Sequence, residues 1–290
     1  MIVAHLSDLH LRSEEDAVAF GLQLDRIRAR GADHLVITGD LLDRWSPALL
    51  EHGLDVLAAR GLLHRERTTI IHGNHDLASS GGHPRRRRDL WRLAARSWDP
   101  PPLLAVRMRA FHRRIAFGAE GVSLPPATLK STASGLHLVT VDTVTAPWWP
   151  MAIGRRTLTL RHGEGAIPDG QLDWLSRQRA KVPLVVLVHH YPLPIAPYEW
   201  KVEGARRWRV LVRMEIKPDD RARFWKAVEQ SGAIAVLCGH VHRARLEHYG
   251  RVTVALNGQS GAAWAGHTVA YYTIEETSIT VQYESVRRGA

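Results

Sequence analysis

The chain has one cysteine, Cys238, among 290 residues. No internal disulfide can form, and a reducing compartment is the simplest expectation. No apolar run approaches the ~18 residues that a membrane helix needs, so no spanning segment is predicted. The start, MIVAHLSDLHL, has no basic leader ahead of an apolar stretch. No signal peptide is therefore expected, and a cytoplasmic location is. Lysine is scarce, with five residues against 34 arginines. The formal net charge is +10 and the sequence pI is about 10.3. Such a balance suits acidic partners, phosphates and nucleic acid among them. GC-rich coding, which favours arginine over lysine, is an equal alternative reading of the same excess.

What the chain does have is length and apolar content. At 45% hydrophobic it can bury a sizeable core. Short β-branched runs, mostly without alternation, predict strands buried on both faces at Ile2–Leu6, His34–Thr38, Thr68–His72, Leu136–Asp142, Leu184–Val188 and Ala233–Cys238. Helices are expected near Asp16–Arg30, Pro47–Ala59, Arg86–Ser97, Asp169–Arg179 and Asp219–Ser231, with Asp169 and Asp219 as caps or first-turn acids. Three more strands follow without helices, at Val252–Leu256, Thr268–Ile274 and Ser278–Tyr283. The pattern is α/β with an antiparallel end. Irregular stretches near 78–135 and 146–165, rich in Pro, Gly and Trp, read as loops or a small cap inserted in one domain spanning 1–290.

Five of the apolar strands end in groups that a core does not need. IVAHLSDLH delivers Asp8 and His10, HLVITGD delivers Asp40, and TTIIHGNHD delivers Asn74 and His75. LVVLVHH delivers His189 and then His190, and IAVLCGHVH delivers His240 and His242. In open α/β sheets the carboxyl ends of strands are where ligands bind, and unpaired buried polar groups are costly. Mixed imidazole and carboxylate donors suit Mn, Fe or Zn better than Ca or Mg. Seven donors exceed one tetrahedral shell and fit two ions if a carboxylate bridges. Two such ions form a clamp for displacement at phosphorus.

In this order D-x-H, GD, GNHD, a strand-end His and GHVH resemble the calcineurin-like metallophosphoesterases, and in general layout their bacterial phosphodiesterases. The blocks run from Asp8 to His242, most of the chain. The resemblance implies a four-layer αββα sandwich of two mixed sheets flanked by helices. It implies a dinuclear site that hydrolyses phosphodiesters, and also monoesters, by in-line attack of a metal-bound hydroxide. By position, Asp8, His10 and His242 would hold one ion, Asn74, His189 and His240 the other, and Asp40 would bridge. His190 would line the pocket or face solvent. His75 would contact substrate or protonate the leaving oxygen. GDLLDR resembles the GD-x-x-DR block of the protein-phosphatase branch, by which Asp43 would orient His75 and Arg44 would contact phosphate. The position where purple acid phosphatases carry a tyrosine ligand is Asp43 here, so a tyrosinate–iron site is not expected. His75 stands where the lipid A precursor hydrolases typically carry Arg.

Other groups have blander readings. Asp43 can equally cap the next helix, Asp76 can cap a turn or orient a histidine, and Arg12 can meet substrate phosphate or lie on the solvated surface. The histidines outside the blocks, including His5, His34, His72 and His112, are expected to be structural. Cations interleaved with Trp at 83–88, followed by Trp91 and Trp98, and at 206–209 around Trp208 can track a nucleic-acid backbone and stack bases. They can equally be a solvated helix face. A nuclease or nucleic-acid end-processing enzyme using the same site is thus the alternative function, and a non-catalytic binding module a weaker one.

Overall fold

The computed structural model describes residues 1–79, 99–145, 151–154, 157–160, 163–179, 181–200, 209–261, 267–275 and 278–286. Its first half is built of βα units. Strands β1 (Ile2–Leu6), β2 (His34–Thr38) and β3 (Thr68–Ile71) run parallel, connected through α1 (Glu14–Ala29) and α2 (Pro47–Ala58). Local chemistry starts each helix. The Ser13 hydroxyl accepts from Asp16 N, and Glu14, Glu15 and Asp16 face the positive end of the α1 dipole. Ser46 accepts from Leu49 N, and Pro47 takes the first position of α2, where a missing N–H costs nothing.

After β3 comes a single turn, α3 (Asn74–Leu77), and later the long helix α4 (Pro101–Gly118). There follow β4 (Leu129–Ser131), β5 (His137–Thr140), β6 (Met151–Ile153), β7 (Thr157–Leu160), α5 (Gln171–Ser176), β8 (Leu184–Leu187), β9 (Tyr198–Trp200), β10 (Arg209–Val212) and α6 (Pro218–Ser231). The chain ends in β11 (Ala235–Cys238), β12 (Arg245–Tyr249), β13 (Val252–Leu256), β14 (His267–Ile274) and β15 (Ile279–Val286). One sheet has the order β15-β14-β1-β2-β3, a second β12-β13-β11-β8-β5-β4, and a small third sheet β6-β7-β10-β9.

Three hydrophobic clusters define the layers. Val3, Val36 and Ile71 of the first sheet pack on Leu138, Val185, Leu187 and Leu237 of the second. The opposite face of the first sheet packs on α1, α2 and α4 through Leu6, Leu35, Phe20, Leu54 and Phe111. The far face of the second packs on α5 and α6 through Val186, Val236, Leu175 and Phe224. Both large sheets mix parallel and antiparallel pairs. The architecture is the four-layer αββα sandwich.

The irregular stretch expected at 78–135 contains α4, whose Phe111 and Ile115 are fully buried. The Pro100–Pro101–Pro102 run that reads as a loop is the start of this helix, since proline is tolerated in a first turn. Asp169 is not a cap either. Gly170 precedes α5 with φ 85°, and the buried acid of α6 is Asp220, which accepts from Ile167 N at 2.8 Å. The 146–165 stretch supplies strands β6 and β7. The expected helix at 86–97 lies outside the described residues. Among the described residues no helix is long and apolar enough to cross a membrane.

Candidate metal centre

Five turns at the carboxyl ends of strands from both large sheets converge. Asp8, His10, Asp40, His240 and His242 all adopt positive φ, at 55°, 48°, 51°, 74° and 60°. That region is strained for non-glycine residues, and such strain gathers where side chains must be aimed. The bends fold five polar side chains back over the sheet edge. Close approach dictates the glycines among them. A Cβ at Gly73 would stand 2.2 Å from Asp40 Oδ1, and one at Gly239 would stand 2.7 Å from Asp8 Oδ2.

The donors cluster in overlapping sets. Asp8, His10 and His242 offer atoms all within 4.8 Å of one another, as do Asp40, His189 and His240, and as do His10, Asp40 and His75. His10 Nε2 lies 3.2 Å from His242 Nε2, and His242 Nε2 lies 3.3 Å from Asp8 Oδ1. His189 Nε2 lies 2.8 Å from Asn74 Oδ1, 3.3 Å from Asp40 Oδ2 and 3.2 Å from His240 Nδ1. All seven donors read from the strand ends therefore meet, with Asp40 common to the two halves.

The other atom of each ring decides what the inward atoms are. His189 Nδ1 faces the Thr38 carbonyl at 2.8 Å, and His240 Nε2 faces the Gly163 carbonyl at 2.8 Å. A carbonyl only accepts, so both protons sit there and neutral rings present lone pairs inward. His189 Nε2 then meets Asn74 Oδ1, Asp40 Oδ2 and a second imidazole lone pair, with no proton among them. Such a huddle of acceptors calls for a cation. In its absence a proton serves. Burial works to lower the His189 pKa, yet the Asp40 carboxylate pushes it up to about 9. Burial likewise opposes protonation of His242, and Asp8 beside it raises that pKa. His10, His190 and His240 are held well below the usual imidazole value, chiefly by burial. Burial would raise the Asp40 pKa, but the surrounding imidazoles hold it well below the carboxylate range. Asp40 Oδ2 and His10 Nδ1 are buried and close no hydrogen bond. The donor set fits metal ions that take mixed imidazole and carboxylate ligands.

His75 sits at the mouth. Its backbone N–H donates to Asp40 Oδ1 at 2.8 Å, its ring packs edge-on against His10 at 4.6 Å, and its side chain keeps 19% exposure. Its Nδ1 donates to the backbone carbonyl of Asp43 at 2.9 Å, while the Asp43 carboxylate is 4.0 Å away. Thus the carbonyl, and not the side chain predicted from GDLLDR, fixes the ring. That carboxylate lies between His75 and His10 Nδ1, 3.8 Å from the latter. Asp43 does not cap α2, whose cap is Ser46. Arg44 is exposed and forms none of these bonds among the described residues. His190 does not face solvent. It is buried, bonds Thr143 Oγ1 at 2.9 Å, and packs at a tilt with its ring centroid 4.4 Å from that of His240.

One contributor, Asp76, does more than the turn capping that the sequence offered as one of its readings. Asp76 is fully buried, and its two oxygens accept from Leu42 N and Gly73 N, both at 2.8 Å, tying the Asp40 loop to the Asn74 loop. Burial, then the nearby Asp40 charge, raises its pKa to about 7. The basic Trp-bearing segments and Trp148–Trp149 lie outside the described residues, apart from Arg209, which begins β10 and pairs with Glu199 at 2.9 Å.

Comparisons with known proteins agree with this fold. Over 225 residues the chain is 23% identical to a protein of Psychrobacter arcticus named a probable cyclic nucleotide phosphodiesterase. The match takes in 77% of this chain and 61% of that protein, so the chain spans about three fifths of its relative's length. Its fold is similar to that of a dimetal phosphatase from Danio rerio, with TM-score 0.60 and 12% identity over 98% of this chain and 96% of that one. It is also similar to the protein TT1561 of Thermus thermophilus, with TM-score 0.54 and 10% identity over 97% of each chain. The family model described as calcineurin-like phosphoesterase matches residues 1–244, and the chain belongs to that family.

Proposed function

We propose that the chain is a dinuclear metal-dependent hydrolase of phosphate esters, with phosphodiesters as its main substrates. The observation that carries this reading is the meeting of His189 Nε2, Asn74 Oδ1, Asp40 Oδ2 and His240 Nδ1, four acceptors with no donor of their own. Asp8, His10 and His242 would hold one ion, Asn74, His189 and His240 the other, with Asp40 shared. Bound there, the pair supplies positive charge for the phosphate oxygens and makes water nucleophilic at neutral pH.

The protein's own groups do the rest. Thr38 and Gly163 carbonyls accept from the outward ring nitrogens of His189 and His240 and so aim the other nitrogen of each ring at the centre. Asp8 accepts from His240 N with both oxygens, at 3.1 and 2.9 Å, which fixes the second strand-end turn against the first. His75 has its Nδ1 proton tied to Asp43 O, so Nε2 is the atom that exchanges a proton at the mouth. In its protonated form it delivers that proton to the leaving oxygen, a role that contributes roughly 10²–10⁴ in rate. The relative's printed name, a probable cyclic nucleotide phosphodiesterase, supports a diester.

Turnover of an aryl phosphodiester with added Mn²⁺ tests the reading. Asp40→Ala should lose both activity and metal stoichiometry. His75→Ala should keep its metal and lose kcat by roughly 10²-fold or more. Full activity in both variants overturns the assignment.

A further inference from the structure

We infer that His72 is a positioning residue for this site, part of a buried strut that sets the spacing between the two sheet edges carrying the donors. Asp8, His10, Asp40, Asn74 and His75 follow strands of the first sheet, whereas His189, His240 and His242 follow strands of the second. The separation of those edges is therefore part of the site's geometry. His72 stands between β3 and Gly73, directly ahead of Asn74 and His75.

Its ring is held at both ends and is almost fully buried. Nε2 lies 3.2 Å from Asp142 Oδ1, at the end of β5 in the second sheet, and Nδ1 lies 3.0 Å from His112 Nε2 on α4. His112 Nδ1 in turn meets the Ser123 hydroxyl. The ionised carboxylate of Asp142 can only accept, so His72 donates to it through Nε2, and with one proton on each ring the other two bonds run the same way. Ser123 donates to His112 Nδ1, His112 donates through Nε2 to His72 Nδ1, and His72 donates through Nε2 to Asp142. The chain then runs one way, from Ser123 to Asp142.

The far end is anchored in the other half of the site. Asp142 also accepts from Val144 N at 2.7 Å and from the Thr145 hydroxyl. Next to it, Thr143 Oγ1 bonds His190 Nδ1, and His190 packs on His240. The strut thus reaches from the loop of Asn74 and His75 to the loop that backs His189 and His190. Ser123, His112, His72 and Asp142 stand in the order of a hydrolytic relay. The hydroxyl, however, is buried and its proton points into the chain, so it is no nucleophile. A misplacement of ~1 Å at a reacting group can cost roughly 10²-fold in rate.

The inference rests on the proposed site, so its test includes readouts that need no turnover. In His72→Phe the affinity for Mn²⁺ should fall about tenfold or more, and kcat should fall further than KM rises. His72→Gln, with a donor and an acceptor for the two ends, should recover most of both. In the metal-free wild type, nitrogen-detected NMR should place the proton on Nε2 of both His72 and His112, with both N–H groups exchanging slowly. A folded His72→Phe with wild-type metal affinity, kcat and KM overturns the strut. If that variant does not fold, an Nδ1 proton or rapid N–H exchange at either ring overturns it instead. A wild type that binds metal in this His72-dependent way but cleaves no phosphate ester removes the proposed function and leaves the strut standing.

Discussion

At Gly73 the backbone is ordinary and the space is not. Its φ is −114°, which any residue adopts. A Cβ there would meet Asp40 Oδ1 at 2.2 Å, Asp40 N at 2.4 Å and His189 Cε1 at 2.8 Å. These are the site's own walls, and none is the end of a flexible surface chain. Gly73→Ala should therefore cost about 1–3 kcal/mol as overpacking and displace the Asp40 carboxylate. Metal stoichiometry should drop, while Gly118→Ala, whose nearest neighbour is 3.8 Å away at Leu63, should leave it unchanged. Metal content after gel filtration and chemical denaturation of both variants check this; a fully loaded Gly73→Ala would sink the claim. At this scale the donors were legible because a polar group at the end of an apolar strand has few structural uses. Asp76 was not, because an acid after Asn74–His75 reads identically as a turn cap and as a brace between two loops. His72 was hidden for a similar reason, since its meaning depends on Asp142 and on His112, 70 and 40 residues away.

Elements show how period-two alternation places polar groups in an unusual layer. On β1 the side chains of Val3 and His5 share the face turned to the second sheet, and on β2 His34 and Thr38 share it with Val36. His5 bonds Tyr272 Oη at 3.0 Å and Thr38 Oγ1 at 2.7 Å, and His34 bonds Thr69 Oγ1 at 2.8 Å. Burial pulls the His5 pKa down to about 3, and burial together with Lys130 pulls that of His34 to about 4. The unfolded chain binds these protons below pH ~6.5, and the folded chain refuses them until about pH 4 at His34 and about pH 3 at His5. Their stability contribution is thus complete above pH 6.5 and is lost as pH falls towards 4, by about 1.4 kcal/mol per pH unit for each group. His34→Gln should flatten the dependence of unfolding free energy on pH by about one proton between pH 6 and 4.5. Urea titrations across that range measure it, and an unchanged slope would show that His34 is protonated in the fold. The same scale explains which elements sequence could reveal. β1, β2, β3, β8 and β11 are short apolar runs with turn formers behind them. α4 begins in prolines, and β12, RLEHY, is a half-exposed edge strand without a clear apolar face.

For the whole molecule, the family match and the folding unit have different ends. The match stops at residue 244, and the five motif blocks stop at His242, so sequence places everything chemical before that point. What it could not show is where the tail returns. β14 lies beside β1, pairing Val3 with Tyr272 and His5 with Ala270, and β13 lies beside β11, pairing Ala235 with Thr253 and Cys238 with Leu256. Two of the strands that aim donors, β1 and β11, are thus each flanked on one side by the tail. The loop after β13 reaches the site itself. Ser260 N donates to Ser7 O at 2.9 Å, Gly261 N to Asp8 O at 3.2 Å, and Asn257 Nδ2 to His5 O at 2.7 Å. A chain cut after residue 244 would bare both strand edges, lose Ala255, Ala270, Tyr272 and Ile274 from the layer between the sheets, and free the turn that aims Asp8 and His10. It should show no cooperative unfolding transition and should bind a hydrophobic dye, whereas the full chain unfolds in a defined step. A truncated chain that melts cooperatively and takes up Mn²⁺ with the stoichiometry of the full chain would mean that the tail is an accessory to the site and not one of its supports.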